Sequence, residues 1–221
     1  MKPYRDLFFD LDGTLTNPKE GITRSVEYAL NAFGISVPDR DALCRFIGPP
    51  LVESFQTYYG FSPQQAQKAL LIYRERFAKT GIWENEPYHG MEELLKALWK
   101  AGRRLTVATS KPTVFAEQIL ERFGYRKYFT AVSGSELDGT HNQKREVIQS
   151  ALAFYNLAPH QALMVGDTRY DVEGAALCGL DCVGVLYGFG SRQELEAAGA
   201  VQLADSVPAL RRLLLGEAAK G

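Results

Sequence analysis

The chain has 221 residues, which is enough for one large domain or for a core domain with a smaller insertion. Its apolar fraction of 46% and charged fraction of 23% are ordinary for a globular protein, and no apolar run approaches the roughly 20 residues that cross a bilayer. The formal net charge is −1 and the basic residues are scattered, so neither a nucleic-acid polymer nor a membrane is the expected partner.

The first predicted element is an apolar strand, Leu7–Leu11, that ends in charge. Asp10 and Asp12 lie at its end, and Gly13-Thr14 supplies the turn that follows. A carboxylate at such a place must be paired, metal-bound or solvated. In open α/β sheets, the carboxyl ends of the strands are where ligands bind. Taken alone, Asp-x-Asp-Gly fits an Asx-stabilised turn as well as a functional site.

A long segment after this strand shows only helical periodicity. Turn and extended-chain signals stand at its entry, Asn17-Pro18, and at its return, Asn85–Pro87. The helices predicted inside it cover Ile22–Phe33, Asp39–Phe46, Leu51–Tyr59 and Gln64–Lys79. We therefore expect a helical domain of residues 17–86, inserted into a core domain of residues 1–16 and 87–221.

The remainder of the chain alternates between strands and helices. The predicted strands are Arg104–Thr109, Phe129–Ser133, Ala162–Val165, Cys182–Leu186 and a weak Ala200–Leu203. The predicted helices are Glu92–Ala101, Thr113–Phe123, Lys144–Tyr155, Asp171–Cys178, Arg192–Ala198 and Val207–Leu215. This alternation predicts an α/β fold with a Rossmann-like parallel sheet that is covered by helices on both faces.

Three further polar signals stand at or near strand ends. Thr109 and Ser110 are expected to open a helix, where a hydroxyl and free N–H groups bind anions, although N-caps use the same residues. Asp167 follows Gly166 at a strand end, and Asp171 lies one turn into the next helix, where a cap and a dipole partner are the alternatives. Lys144 opens a helix against the helix dipole, so it is either solvated or paired with an anion.

Together these groups are more specific than any one of them. Oxygen ligands for Mg²⁺, a nucleophilic carboxylate, a hydroxyl and a lysine can meet at one edge of a parallel sheet. Phosphoryl transfer requires such a set, because positioning and charge neutralisation supply most of its catalysis.

On these residues the chain resembles the haloacid dehalogenase superfamily, specifically its phosphatases with a helical (C1-type) cap. Asp10-Leu-Asp12-Gly-Thr matches the first motif of that family, Thr109 the second, Lys144 the third, and Gly-Asp167-x-x-x-Asp171 the fourth. The resemblance covers nearly the whole chain. The segment Phe46-Ile-Gly48-Pro-Pro-Leu51 also resembles the substrate loop of the phosphoglycolate phosphatase-like branch.

The resemblance implies a mechanism. Asp10 would attack phosphorus to form an aspartyl-phosphate, and Asp12 would act as general acid and base. Asp10, the backbone carbonyl of Asp12 and Asp167 would hold the cofactor Mg²⁺. The resemblance assigns phosphate binding to Thr109, Ser110 and Lys144, orientation of Lys144 to Asp171, and substrate contact to the loop that contains Gly48. Arg45, which stands just before this loop, is a candidate for binding a second anionic group of the substrate, such as a carboxylate, and a solvated helix arginine is the alternative.

The expected substrate is a small phosphomonoester. Phosphoglycolate is the first candidate, and a 5′-nucleotide is the second because the third motif lacks the Lys-Pro-x-Pro pattern of many relatives. A broad-specificity phosphatase and a phosphosugar mutase are further enzyme alternatives. A receiver-like module phosphorylated on Asp10 is a distant one, because receivers lack an insertion of this length.

Cysteine usage suggests the compartment. Cys44, Cys178 and Cys182 lack Cys-x-x-Cys spacing and stand among apolar residues, which predicts reduced and buried thiols. We therefore expect a cytoplasmic enzyme. The expected oligomeric state is a monomer or a weak homodimer.

Overall fold

The computed structural model describes residues 4–217, and the chain divides into two compact units. The core unit consists of the segment that ends at Thr16 and the segment that begins at Pro87, and the helical unit is Asn17–Glu86. Residues 1–3 and 218–221 of the expected core domain lie outside the described residues.

The core unit is built on one six-stranded parallel sheet. Its strands are β1 (Asp6–Phe9), β4 (Arg104–Pro112), β5 (Phe129–Ser135), β6 (Ala162–Gly166), β7 (Asp181–Val185) and β8 (Gln202–Ala204). They lie in the order β5-β4-β1-β6-β7-β8. The prediction of a Rossmann-like α/β sheet is confirmed.

The central position of β1 follows from its composition. Leu7, Phe8 and Phe9 are all buried, although successive side chains of a strand point to opposite faces. A strand with both faces apolar requires cover on both sides, and parallel sheets are covered in this way by the helices of their crossovers. β1 accordingly pairs with β4 on one side and β6 on the other.

The helices of the core unit follow the strands in alternation. They are α4 (Met91–Lys100), α5 (Thr113–Arg122), α6 (Lys144–Tyr155), α7 (Arg169–Leu177), α8 (Arg192–Ala198) and α9 (Val207–Leu215). Val147, Ile148 and Val172 from α6 and α7 join Phe8 and Met164 in one buried apolar cluster. This cluster fixes the starts of α6 and α7 relative to the ends of the strands.

The helical unit contains α1 (Lys19–Asn31), α2 (Leu51–Tyr59) and α3 (Pro63–Lys79). The predicted helix Asp39–Phe46 is instead a 3₁₀ helix, Arg40–Phe46, and a further 3₁₀ turn covers Gly81–Trp83. Asp39 caps the 3₁₀ helix by accepting a hydrogen bond from the Asp41 N–H. α3 begins with a capping box formed by Ser62 and Gln65, which satisfies two N–H groups at the helix start.

Two short strands that the periodicity does not predict pair with each other where the chain passes between the units. They are β2 (Thr16–Asn17) and β3 (Glu86–Pro87), and the sequence signals there indicate only turns and extended chain. Hydrophobic periodicity cannot predict these strands, because a strand of two residues is too short to show alternating apolar and polar side chains.

The cysteine prediction requires a correction. All three cysteines are free, but only Cys182 is buried, and Cys44 and Cys178 are partly exposed. Cys44 lies in the 3₁₀ helix and Cys178 at the end of α7, where one side of the backbone faces outward. Within residues 4–217, no helix is both long and apolar enough to cross a membrane.

Candidate active site

The order of the strands places the predicted site residues at one edge of the sheet. Asp10 and Asp12 follow β1, Thr109 lies in β4, and Asp167 comes directly after β6. Because β1 pairs with both β4 and β6 and all three are parallel, their carboxyl ends are neighbours. Lys144 begins α6 and Asp171 lies in the first turn of α7.

Lys144 forms a buried link between two of these carboxylates. Its Nζ lies 2.6 Å from Asp10 Oδ1 and 2.8 Å from Asp171 Oδ1, and it donates to the Ala108 carbonyl at 3.1 Å. The contacts with Asp10 and Ala108 are hydrogen bonds, and the contact with Asp171 is an ion pair. A Cβ on Gly174 would lie 2.8 Å from the Lys144 Cβ, so the glycine makes room for the lysine. The expected anionic partner of this helix-opening lysine is therefore present.

Burial and mutual charge control the protonation of this cluster. The pKa of Asp10 is raised to about 6, because the effect of burial, with a smaller contribution from the charge of Asp171, outweighs the opposing effect of Lys144. Burial alone would lower the pKa of Lys144, but the charges of Asp10 and Asp171 outweigh it and raise that pKa. Lys144 is therefore held as a cation beside a carboxylate that ionises near neutral pH.

Asp167 is held rigidly by a loop and a turn. Thr14 Oγ1 donates to its Oδ1 at 3.1 Å, and the Phe189 N–H donates to its Oδ2 at 2.9 Å. A Cβ on Gly188 would lie 2.3 Å from the Asp167 Cβ, and one on Gly13 would lie 2.1 Å from its Oδ2. Only glycine permits so close an approach. Burial, followed by the charges of Asp171 and Asp10, raises the pKa of Asp167 well above its usual range.

The same carboxylates fit a hard cation. Asp10, Asp167 and Asp171 are all buried, and one ligand oxygen from each lies within 4.8 Å of the others. Buried carboxylates repel one another when ionised, and a divalent ion with oxygen ligands relieves that repulsion. The donor set therefore fits the predicted Mg²⁺. Asp10 and Asp167 are predicted ligands, and the third carboxylate of the cluster is Asp171, to which the prediction assigns the orientation of Lys144.

Asp12 has a partner that the sequence analysis missed. The Lys111 Nζ lies 2.6 Å from Asp12 Oδ2, and both side chains are buried. A signal was available, because Thr109 and Lys111 are two residues apart in a strand and therefore share a face. The loop Gly188-Phe189-Gly190 was also missed, and its sequence alone indicates only a flexible turn.

The placement of Thr109 and Ser110 differs from the prediction. β4 continues to Pro112 and α5 begins at Thr113, so the two hydroxyl residues lie in the strand and do not open the helix. β4 extends because Pro112 pairs with Ser135 of β5 after a shift in register. Thr109 remains buried, and its Oγ1 accepts from the Lys111 N–H at 3.3 Å.

The two candidates from the helical unit have their own local geometry. Arg45 is exposed, and its guanidinium carbon lies 4.3 Å from the centre of the Tyr58 ring. Gly48 has a φ of 107°, which only glycine adopts readily and which permits the turn before Pro49-Pro50. Their contact with substrate stays a prediction.

Comparison with known proteins agrees with this geometry. A family model described as haloacid dehalogenase-like hydrolase matches residues 7–185. A Pseudomonas aeruginosa protein named 5′-nucleotidase is 48% identical, over 96% of this chain and 96% of that protein. The Mycobacterium tuberculosis protein named tyrosine-protein kinase PtkA is 39% identical over 83% of this chain, and the match spans 62% of its length.

A solved structure extends the likeness to three dimensions. The crystal structure of a predicted phosphatase from Clostridium acetobutylicum is 48% identical and has a TM-score of 0.95. The match covers 96% of this chain and 99% of the Clostridium acetobutylicum chain. The family model, the full-length relative and this structure agree with the resemblance that the four motifs predict. The chain therefore belongs to the haloacid dehalogenase-like hydrolase family, within which it is a phosphatase.

Proposed function

We propose that this phosphatase is a Mg²⁺-dependent phosphomonoester hydrolase that forms an aspartyl-phosphate on Asp10. The observation that carries the proposal is the buried cluster in which Lys144 contacts both Asp10 and Asp171. A lysine there keeps one Asp10 oxygen oriented and offsets the negative charge that a phosphate would bring to the site. Purely structural buried ion pairs are weak sources of stability, which favours a functional role for this cluster.

Asp10, Asp167 and the backbone carbonyl of Asp12 would hold the Mg²⁺. When bound, such an ion offsets the repulsion between a carboxylate nucleophile and a dianionic phosphate. Lys144, which contacts Asp10, neutralises part of the same charge. Asp171 contributes by keeping the Lys144 ammonium in place, and its Oδ2 accepts from both the N–H and the hydroxyl of Thr168.

The reaction proceeds in two halves. In the first, an Asp10 oxygen forms a bond to phosphorus while the bond to the ester oxygen breaks, and Asp12 donates a proton to that leaving oxygen. In the second, water attacks the phosphoryl group as Asp12 accepts its proton, so inorganic phosphate leaves and Asp10 is regenerated. Thr109 and the Ser110 N–H are the proposed ligands of the phosphoryl oxygens.

The proposed substrate is a 5′-nucleoside monophosphate. The relative named 5′-nucleotidase, with 48% identity across nearly the full length of both chains, favours it over phosphoglycolate, the first candidate from the sequence. Phosphoglycolate remains the second candidate on the resemblance of Phe46–Leu51 to a substrate loop. We also propose that the helical unit serves as the cap of the enzyme and that Arg45 and Gly48 contact the substrate.

A substrate panel tests this proposal. Phosphate release is measured with nucleoside monophosphates, phosphoglycolate, sugar phosphates and p-nitrophenyl phosphate, and substrates are ranked by kcat/KM. We expect metal-dependent turnover, highest with nucleoside monophosphates and abolished by a chelator. A flat ranking would replace the nucleotide proposal with broad specificity, and metal-independent turnover would contradict the Mg²⁺ assignment.

The proposed setting is the cytoplasm, with the chain acting as a monomer or a weak homodimer on a free metabolite. Three free cysteines support a reducing compartment, because oxidising compartments favour paired cysteines.

A further inference from the structure

Two neighbouring strands present matching pairs of side chains at the site. β1 is followed by Asp10 and Asp12, and the end of β4 carries Thr109 and Lys111, each pair two residues apart. Family motifs account for Asp10, Asp12 and Thr109, but the Lys111 side chain has no role in the reaction described above. Its Nζ lies 2.6 Å from Asp12 Oδ2, with the two side chains only 6% and 10% exposed.

The contact ties down one half of the Asp12 carboxylate and leaves the other available. Oδ2 faces Lys111, whereas Oδ1 is buried and has no hydrogen-bond partner among residues 4–217. A buried carboxylate oxygen without a partner is costly, which is expected where the partner is a substrate or a water that arrives during the reaction. The geometry thus separates an anchored oxygen from a reactive one.

Stability alone does not explain a lysine at this position. Removing a lysine and an aspartate from water costs several kcal/mol per ion, and well-packed apolar residues stabilise such places equally well or better. Lys144 already supplies a cation to Asp10 and Asp171, so Lys111 is the cation in contact with Asp12. The N–H of Lys111 also donates to Thr109 Oγ1, which links it to the proposed phosphate-binding residue.

We propose that Lys111 is the positioning residue for Asp12: it anchors Oδ2 so that Oδ1 is aimed at the leaving oxygen of the substrate. The inference rests on the proposed function, because it assigns Asp12 as the general acid. A general acid must lie within about 2.6–3.2 Å of the atom that it protonates. Without its anchor, the Asp12 side chain would sample other rotamers and lose that alignment.

The consequence is a rate loss that depends on the leaving group. An alkyl phosphate expels a strongly basic alkoxide that must be protonated, whereas p-nitrophenyl phosphate expels a stable phenolate that needs little help. Positioned general acids contribute roughly 10²–10⁴-fold to such reactions. A loss confined to poor leaving groups is therefore a signature of impaired proton donation, and a merely structural defect would lower both rates alike.

The test compares kcat/KM for an alkyl phosphate and for p-nitrophenyl phosphate, with the Mg²⁺-loaded full-length enzyme. For each substrate, kcat/KM reports the steps up to departure of the first leaving group. For Lys111→Met, which keeps the length and removes the charge, we expect a loss of about 100-fold on the alkyl ester and less than about 10-fold on the aryl ester. Lys111→Arg should recover part of the alkyl rate. Lys127→Met, which removes an exposed ion pair with Glu92, is the matched control and should change neither rate.

A double-mutant cycle with Asp12→Asn shows whether Lys111 acts through Asp12. If it does, Lys111→Met costs little in the Asp12→Asn background, because the group that it positions is already disabled. Equal losses on both esters, or a rise in KM with kcat unchanged, would overturn the inference and indicate a phosphate-binding lysine. Should Lys111→Met not fold, an alkyl-selective loss in Lys111→Gln supports the inference and an equal loss contradicts it. Failure of the proposed function looks different, since the wild-type enzyme would then release no phosphate.

Discussion

At the residue scale, burial and a single lysine set the properties of Asp10, the proposed nucleophile. The side chain is 5% exposed, and burial raises its pKa to about 6 even with Lys144 in contact. A carboxylate that is partly desolvated and fixed by one oxygen is more reactive than a solvated one, because it has less hydration to lose on attack. Asp171, which is fully buried, holds Lys144 from the other side.

Replacement of Asp10, the proposed nucleophile, tests this arrangement. Asp10→Asn should lower kcat by at least about 10³-fold on every substrate, aryl phosphates included, because the amide cannot form the phosphoenzyme. The fold should persist, since asparagine has the same size and still offers Lys144 an acceptor oxygen. The measurement is phosphate release together with a thermal melt. Mass spectrometry of acid-quenched wild-type enzyme should find a phosphoryl group on the peptide that contains Asp10.

Asp138→Asn is the control for this variant, because Asp138 is exposed and bonds only locally to Thr140. Wild-type rates are expected for it. Turnover by purified Asp10→Asn within tenfold of wild type would refute the nucleophile assignment.

At the element scale, one carboxylate connects three parts of the helical unit. Glu84 accepts hydrogen bonds from Arg76 of α3 at 2.8 and 3.0 Å and from Arg24 of α1 at 2.9 Å. Arg76 also donates to Ser25 of α1 at 3.1 Å. Paired, two-point bonds between arginine and a carboxylate are among the stronger polar interactions in proteins. This network links the segment after α3 to α1.

Loss of the Glu84 charge should destabilise the chain. Glu84→Gln is expected to lower the free energy of unfolding by about 1–2 kcal/mol at pH 7, because hydrogen bonds to charged groups are each worth more than neutral ones. Urea denaturation measures the change. The control is Glu75→Gln, which removes an exposed pair with Lys79 and should cost close to nothing.

Wild type and Glu84→Gln should also differ in how their stability depends on pH, and the direction of this difference follows from the pKa of Glu84. Hydrogen bonds from Arg76, and then from Arg24, hold the pKa of Glu84 below its usual range. A lowered folded-state pKa contributes stability above the unfolded value, and that contribution is lost as the pH falls through the folded value. The difference between wild type and Glu84→Gln should therefore shrink below a pH of about 4.3. A difference that stays constant between pH 7 and pH 3 would contradict this account.

At the scale of the whole molecule, the stability of the chain should depend on a divalent ion. Lys144 offsets only part of the negative charge of Asp10, Asp167 and Asp171. A ligand that binds only the folded state stabilises it by mass action. Saturating Mg²⁺ at pH 7.5 should raise the melting temperature by several degrees. Asp167→Asn should abolish the shift, and the exposed Asp205→Asn should retain it.

The Mg²⁺ effect should also depend on pH. Burial raises the pKa of Asp10 to about 6 in the folded protein, above its unfolded value of about 4. In the metal-free protein, Asp10 therefore contributes stability below a pH of about 4, and this contribution is lost as the pH rises through 6. Asp10 is therefore mostly protonated at pH 5, which would oppose Mg²⁺ binding, and mostly ionised at pH 7.5, where Mg²⁺ would bind. The melting shift should be smaller at pH 5, and a larger shift there would contradict the assigned protonation.

Much of the sheet and several site residues are predictable from local sequence. The alternation of apolar strands and amphipathic helices specifies a parallel α/β sheet, because such strands bury both faces only beneath crossover helices. Asp10, Asp12 and Asp167 stand out because each interrupts or ends an apolar run, and Lys144 because it opposes a helix dipole. Each of these signals can be recognised from a few neighbouring residues of the sequence.

The tertiary structure decided which of these groups meet. Lys111 contacts Asp12, Asp171 meets Asp10 in the carboxylate cluster, and Phe189 holds Asp167. The two residues of each contact belong to different segments of the chain. Such contacts depend on strand order, on the shift in register between β4 and β5 and on the close approach at Gly188. The sequence by itself determined the chemical groups and the edge of the sheet at which they stand. Their pairing, and with it the protonation of Asp10 and Lys144, came from packing, because burial and charge act through space and not along the chain.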